Sequence, residues 1–170
     1  KPVKLGLDLS GGVHFLLEVD IDTAQEGRLE LLLDTYRKYF KENKINFSKS
    51  YIDNLILHFE FNDNNSYNKA LAKYRQDSPG INGIQYVITE KPSSNELLLE
   101  YSDIALREIR DYAVGQNLIT LRNRVNELGV SEPIVQREGA NRIVVQLPGV
   151  QDPTAAKKII GKTANLEFRL

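Results

Sequence analysis

The 170-residue sequence contains no cysteine, no methionine and no tryptophan. Without cysteine there is no thiol nucleophile, no cysteine-ligated zinc and no disulfide framework, and the redox compartment is left open. An excess of charge is missing too, since 22 basic residues stand against 23 acidic ones for a net charge of −1 at pH 7. With a sequence pI of about 6.2 there is no basic field to draw phosphate backbones or anionic lipid, which disfavours nucleic acid as a partner. No apolar run approaches the roughly 18 residues of a membrane helix, and no charged-then-apolar leader opens the chain, so the segment reads as soluble. The missing initiator methionine and the opening on Lys1, Pro2 and Val3 point to an excised piece of a longer protein.

What is present is ordinary globular composition, 41% hydrophobic and 26% charged. A chain of this length buries roughly two thirds of its unfolded surface and needs no covalent staple. Residues 13 to 19 alternate Val13, Phe15, Leu17 and Val19 against His14, Leu16 and Glu18, the period of a half-buried strand. A helix is expected over 23 to 43, with Thr23 or Asp22 as N-cap, Glu26 at capping-box spacing and Leu29, Leu32, Leu33, Tyr36 and Phe40 as its apolar stripe. Strands at about 46 to 52 and 55 to 61 flank a tight turn at Asp53 and Asn54 that lacks the usual glycine. A shorter helix over 64 to 77 and a strand at 84 to 89 complete one βαββαβ series.

The run KPSSN, residues 91 to 95, is the best linker candidate, and a second series begins beyond it. ELLLEYS reads as a strand, Ser102 or Asp103 caps a long helix to about Leu128, and Gly129 is the expected C-cap. Strands at 133 to 138 and 142 to 147 follow, then a helix with Asp152 as N-cap and Pro153 at its first position, stopped by Gly161, and a last strand in NLEFRL. The fold class is therefore α+β with two ferredoxin-like units of split βαβ type. The domain reading is a junction at 1 to 12, a first unit at 13 to 90 and a second at 96 to 170.

Several motifs bear on chemistry. Gly11 and Gly12 precede a strand, whereas a phosphate cradle needs glycines between a strand and a helix N-terminus; they read as a sharp backbone turn. His14 and His58 lie on polar strand faces without a third ligand at metal spacing. NDNNS, residues 62 to 66, lacks the turn glycine and distal glutamate of a calcium loop and reads as a helix start. The βαββαβ order also raises RNA binding, but the phenylalanines of LILHFEF share a face with leucines and leave no stacking platform outside. Arg122 and Arg124, with Asn123 and Asn126, fall on the long helix and form either ion pairs with Glu127 and neighbouring strands or a partner-facing surface. No catalytic, cofactor or metal residues emerge. A free-standing ferredoxin-like module that binds a small metabolite is the alternative functional reading.

LGLDLSGG near the start, LRNRVNELGVSEPIVQREGANRIVVQLPGVQD at 121 to 152 and LEFRL at the end resemble the SecD family of the bacterial protein translocase. The likeness is to the first periplasmic domain that follows its first membrane helix. It implies a non-enzymatic role in export, driven by the proton-motive force, with SecF, the SecYEG channel and unfolded preprotein as partners. It also implies an inner-membrane protein whose present segment faces the periplasm, with Gly11 and Gly12 where the chain leaves the membrane. Asp8, in the same motif, is then either a capping or ion-pair residue or a proton carrier, and a relay carboxylate needs burial or a partner at membrane depth that a periplasmic segment does not supply. Shorter members of the family pass almost directly from the first strand to the helix ending NRVNELG. The two units are therefore tandem, or residues 21 to 100 are an insertion that nests one within the other.

Overall fold

The computed structural model describes residues 11–78, 86–161 and 166–169. Two antiparallel sheets and four helices make up the regular structure of these residues. In chain order they are β1 (Gly12–Val19), α1 (Ile21–Glu42), β2 (Phe47–Asp53), β3 (Ile56–Phe61), α2 (Asn64–Asp77), β4 (Tyr86–Lys91), β5 (Glu96–Tyr101), α3 (Asp103–Glu127), β6 (Ile134–Glu138), β7 (Arg142–Pro148), α4 (Pro153–Ile160) and β8 (Leu166–Arg169).

The chain divides into two compact units, one of residues 22–109 and the other of residues 1–21 with 110–170. The first is thus inserted in sequence between the two parts of the second. The discontinuous unit carries the sheet β6-β7-β1-β8 and the inserted unit the sheet β2-β3-β5-β4. β1 pairs with β7 from Gly12 opposite Pro148 to Glu18 opposite Arg142, and on its other side with β8. β5 pairs with β3 and β4.

This pairing corrects the division at 13–90 and 96–170. β1, assigned to the first series, lies in the sheet of the second, and β5, assigned to the second, lies in the sheet of the first. Both strands alternate apolar and polar residues, and alternation fixes which face of a strand is buried without naming its neighbour. KPSSN is likewise a hairpin tip within one sheet: Pro92–Ser94 form a 3-10 turn and the N–H of Asn95, in the left-handed region at φ 49°, donates to Pro92 O.

The β2–β3 turn sits one residue later than expected. Asn54 and Leu55 take φ values of 48° and 62°, the two positive angles of a mirror-image hairpin turn. Leucine is a poor residue for that conformation, and here its side chain packs partly buried against the core. That burial offsets the backbone strain.

Each unit has its own core. The inserted unit is aromatic at its centre, where Phe40 meets Phe59 at 5.0 Å and Phe61 at 5.5 Å between ring centroids, and Tyr36 meets Tyr74 at 4.4 Å. The discontinuous unit is aliphatic apart from Phe15, with Leu17, Leu121, Val125, Ile143, Val145 and Leu147 all at 0% exposure. Full burial of each such side chain stabilises by roughly 1.5–3 kcal/mol. Of the expected N-caps, Ser102 and Asp152 are present and Asp63 caps α2 as well, whereas Thr23 and Asp22 lie inside α1, which begins at Ile21. Ser102 Oγ accepts from the N–H of Ala105 at 3.2 Å, Asp63 from that of Ser66 at 2.7 Å, and Asp152 from that of Thr154 at 3.0 Å.

Candidate functional site

The glycine pair sits where β1 begins. Gly11 has φ +71° and Gly12 φ +153°, both in the region that favours glycine. The carbonyl of Gly11 accepts a hydrogen bond of 3.1 Å from the N–H of Gly149, itself at φ +79°. The pair and the Pro148–Gly149 turn therefore close the end of the β1–β7 ladder together, and the motif contributes main-chain shape. A Cβ at Gly11 would meet nothing within 4 Å, so torsion, and not space, selects glycine there. Asp8 lies outside the described residues.

A second site lies where the end of α3 meets β6, an edge strand of its sheet. Arg122 directs Nε and one terminal nitrogen at the same acceptor, the main-chain carbonyl of Val135, at 3.3 and 3.2 Å. A guanidinium fork suits such two-donor contact. Val135 O belongs to the outward side of an edge strand, so the arginine occupies an acceptor that an incoming strand would use. Beside it, a cleft of about 300 Å³ is lined by Arg122, Val125, Asn126, Pro133 and Val135. Ile134, 41% exposed, is on the same strand. Of the residues expected on this helix, Arg122 and Asn126 meet at the cleft, whereas Arg124 is half-buried and does not line it. The hairpin beyond is pinned by Arg137, which donates to Asp111 at 2.7 Å and to the carbonyls of Gly139 and Ala140.

On the inserted unit, the sheet face opposite the aromatic core carries a cross-strand row. The register aligns Lys49 with Glu60, Glu60 with Glu96, and Glu96 with Lys91; the next row aligns Tyr51 with His58. Tyr51 and His58 stack with centroids 4.7 Å apart and planes 7° from parallel. His58 Nδ1 lies 2.9 Å from Glu96 Oε1, and Lys91 Nζ lies 2.9 Å from Glu96 Oε2. These two hydrogen bonds, that of His58 first, hold the Glu96 carboxyl below the usual carboxylate range. One stacked pair is thus present on this face, contrary to the expectation of none, because Tyr51 of β2 falls opposite His58. The acids beside it repel phosphate. Among the described residues no group of three or more histidine, aspartate or glutamate side chains is placed to hold a metal ion, and no helix is long and apolar enough to cross a membrane.

Two family models match the chain. Residues 114–170 match the one described as protein translocase subunit SecDF, P1 domain, N-terminal, and residues 1–20 match the SecD/SecF GG motif. Among curated relatives, protein translocase subunit SecD of Pseudomonas aeruginosa is 48% identical over 169 residues, covering 99% of this chain and 27% of the relative. The Escherichia coli K12 protein of the same name is 47% identical over 171 residues, with 100% and 27% covered. That of Rickettsia bellii is 38% identical over 168 residues, with 99% and 31% covered. The chain thus spans between a quarter and a third of the length of these relatives. No solved structure matches it.

Proposed function

This chain belongs to the SecD family of protein translocase subunits, and from that premise we propose that it serves protein export as a non-catalytic domain that holds unfolded preprotein on the periplasmic side of the inner membrane. The observation that carries this reading is the alignment of essentially the whole chain with SecD proteins at 37–48% identity. In this role it works beside SecF and the SecYEG channel, and the proton-motive force acting on membrane helices elsewhere in the protein moves it between holding and release. Gly11 and Gly12 form the rigid turn through which that movement enters the sheet, and Asp8 has a capping or ion-pair role.

Both units are ferredoxin-like in this proposal. The order β6-β7-β1-β8, with all neighbours antiparallel, is that of a split βαβ fold. The order β2-β3-β5-β4 is the same arrangement with its first strand supplied from the end of the unit. Such a sheet keeps open edges. Extended chain binds an edge through main-chain hydrogen bonds and so without regard to sequence, as a translocase client requires. β4, whose Val87 is 45% exposed, is the proposed edge, since the main-chain acceptor of β6 at Val135 is already occupied by Arg122.

Amide NMR titration with an unfolded precursor segment, against a folded protein as control, tests the reading. Saturable shifts confined to β4 and its neighbours, with the unfolded chain only, are expected. Absence of shifts at millimolar concentration would remove capture from this domain and leave it as a scaffold.

A further inference from the structure

The helical side of the inserted unit has a feature that the edge-strand reading does not use. The second half of α1 carries Arg37, Lys38 and Lys41 together with Asp34 and Glu42, and Lys44 follows it. The end of α1 and the segment after it meet α2, which brings Lys69 and Lys73. A cleft of about 410 Å³ lies between them, lined by Tyr39, Asn43, Ile45, Lys69, Lys73 and Gln76, within the range of ligand pockets. No acid lines it. Basic residues at the end of α1 complement the helix dipole and need no ligand to explain them. Lys69 sits within α2 and makes no direct ion pair among the described residues, although its charge helps to hold the Asp63 carboxyl low.

Lys73 is held in place. Its ammonium donates to Asp77 Oδ1 at 2.8 Å and lies 4.8 Å from the centroid of the Tyr39 ring. Asp77, 9% exposed, also accepts from Tyr36 OH at 3.1 Å. An ammonium has three N–H donors, so after the contact with Asp77 it retains donors for an anion, from a position already fixed by its neighbours. Across the cleft, Asn43 donates to Tyr39 O at 2.9 Å, which leaves its amide oxygen as an acceptor. Gln76 on α2 supplies both a donor and an acceptor. Two side-chain amides on opposite walls match the N–H and C=O groups of a peptide backbone, the lysines match acidic side chains, and Ile45 with the Tyr39 ring forms an apolar floor for methylene groups.

We propose that this cleft binds a short acidic peptide segment in extended form. The amide pair distinguishes such a segment from free phosphate or an anionic lipid surface, for which the ammonium groups alone would serve. The inference goes beyond the translocase reading and does not depend on it, because an acidic segment of any protein carries the same chemistry.

The test is an amide NMR titration of the full chain with a glutamate-rich peptide. The matched glutamine peptide, inorganic phosphate and vesicles containing phosphatidylglycerol are titrated in parallel. Saturable shifts at Asn43, Lys69, Lys73 and Gln76 with the glutamate peptide are expected, weakened as salt rises. Lys69→Gln should lower affinity about three- to fivefold, the worth of one exposed ion pair, with shifts elsewhere in the spectrum unchanged as a check on folding. Gln76→Ala should weaken the peptide and leave phosphate binding as it was. Equal affinity for the glutamine peptide, or saturation of the same amides by phosphate or vesicles at the concentration that the peptide needs, would overturn the proposal. A precursor that shifts β4 but not this cleft would support edge capture alone, so the two readings fail separately.

Discussion

Glycines at two positions of the discontinuous unit should respond to alanine with opposite signs. At Gly11 the added Cβ has room but φ is +71°, so Gly11→Ala should destabilise by about 1–2 kcal/mol through torsion alone. Gly115 lies within α3, also has nothing within 4 Å of an added Cβ, and has no positive φ. Gly115→Ala should therefore stabilise by about 0.8–1 kcal/mol, and urea unfolding midpoints decide both signs. Glu96 gives a residue-scale dependence on pH. Its carboxyl is held below the ordinary 4.5, by the His58 hydrogen bond first and the Lys91 bond second. The folded value lies below the unfolded one, so the stabilisation is present above the unfolded value and is lost as pH falls through the folded one. Melting temperature should decline on acidification from about pH 5 to pH 3, and less steeply in Glu96→Gln. Some slope should persist in that variant, since hydrogen bonds from Ser66 lower the Asp63 carboxyl in the same direction.

At the scale of elements, what is local in sequence was legible and what is pairwise was not. The caps at Ser102, Asp152 and Gly129 follow from chemistry within a few residues and could be read directly, whereas Asp63 was legible only as part of a helix start and the N-cap expected at Thr23 or Asp22 falls inside α1. The strands β1 and β5 were read as strands with the right buried faces, and the choice between a tandem division, which puts each in the other unit, and a nested one stayed open, because both are alternating runs followed by a helix. The turn at Asn54 and Leu55 was displaced by one residue, since leucine gives no turn signal and its left-handed conformation is offset by tertiary packing. Arg122 was singled out on its helix with an ion pair to Glu127 or a neighbouring strand, or a partner-facing surface, as its expected roles, and it donates instead to a main-chain carbonyl. That its acceptor is an edge-strand carbonyl depends on how α3 lies over β6, which no spacing encodes. The fork on Val135 yields a prediction for the strand: Arg122→Ala should cost about 1 kcal/mol and accelerate amide exchange along β6, while β1 and β7 keep their protection. Lysine at this position should rescue only partly, since it lacks the two-pronged donor geometry.

At the scale of the molecule, the two cores share no residue, and residues 22–109 contain every member of the aromatic one. That segment, expressed alone, should fold and unfold cooperatively in denaturant, as followed by tyrosine emission in a chain without tryptophan; a broad, non-cooperative transition would refute its independence. The aromatic core has a further consequence, in alkali. Burial raises the phenols of Tyr36, Tyr67, Tyr74, Tyr86 and Tyr101 above their ordinary 10.0, and all five belong to the inserted unit. A folded phenol that refuses to ionise where an unfolded one would do so withdraws stability as pH climbs past the unfolded value. The inserted unit therefore has an alkaline ceiling set by its own packing. When it gives way, five phenols should turn to phenolate in one step, so that the ultraviolet spectrum of the protein registers the collapse of that core without any added dye.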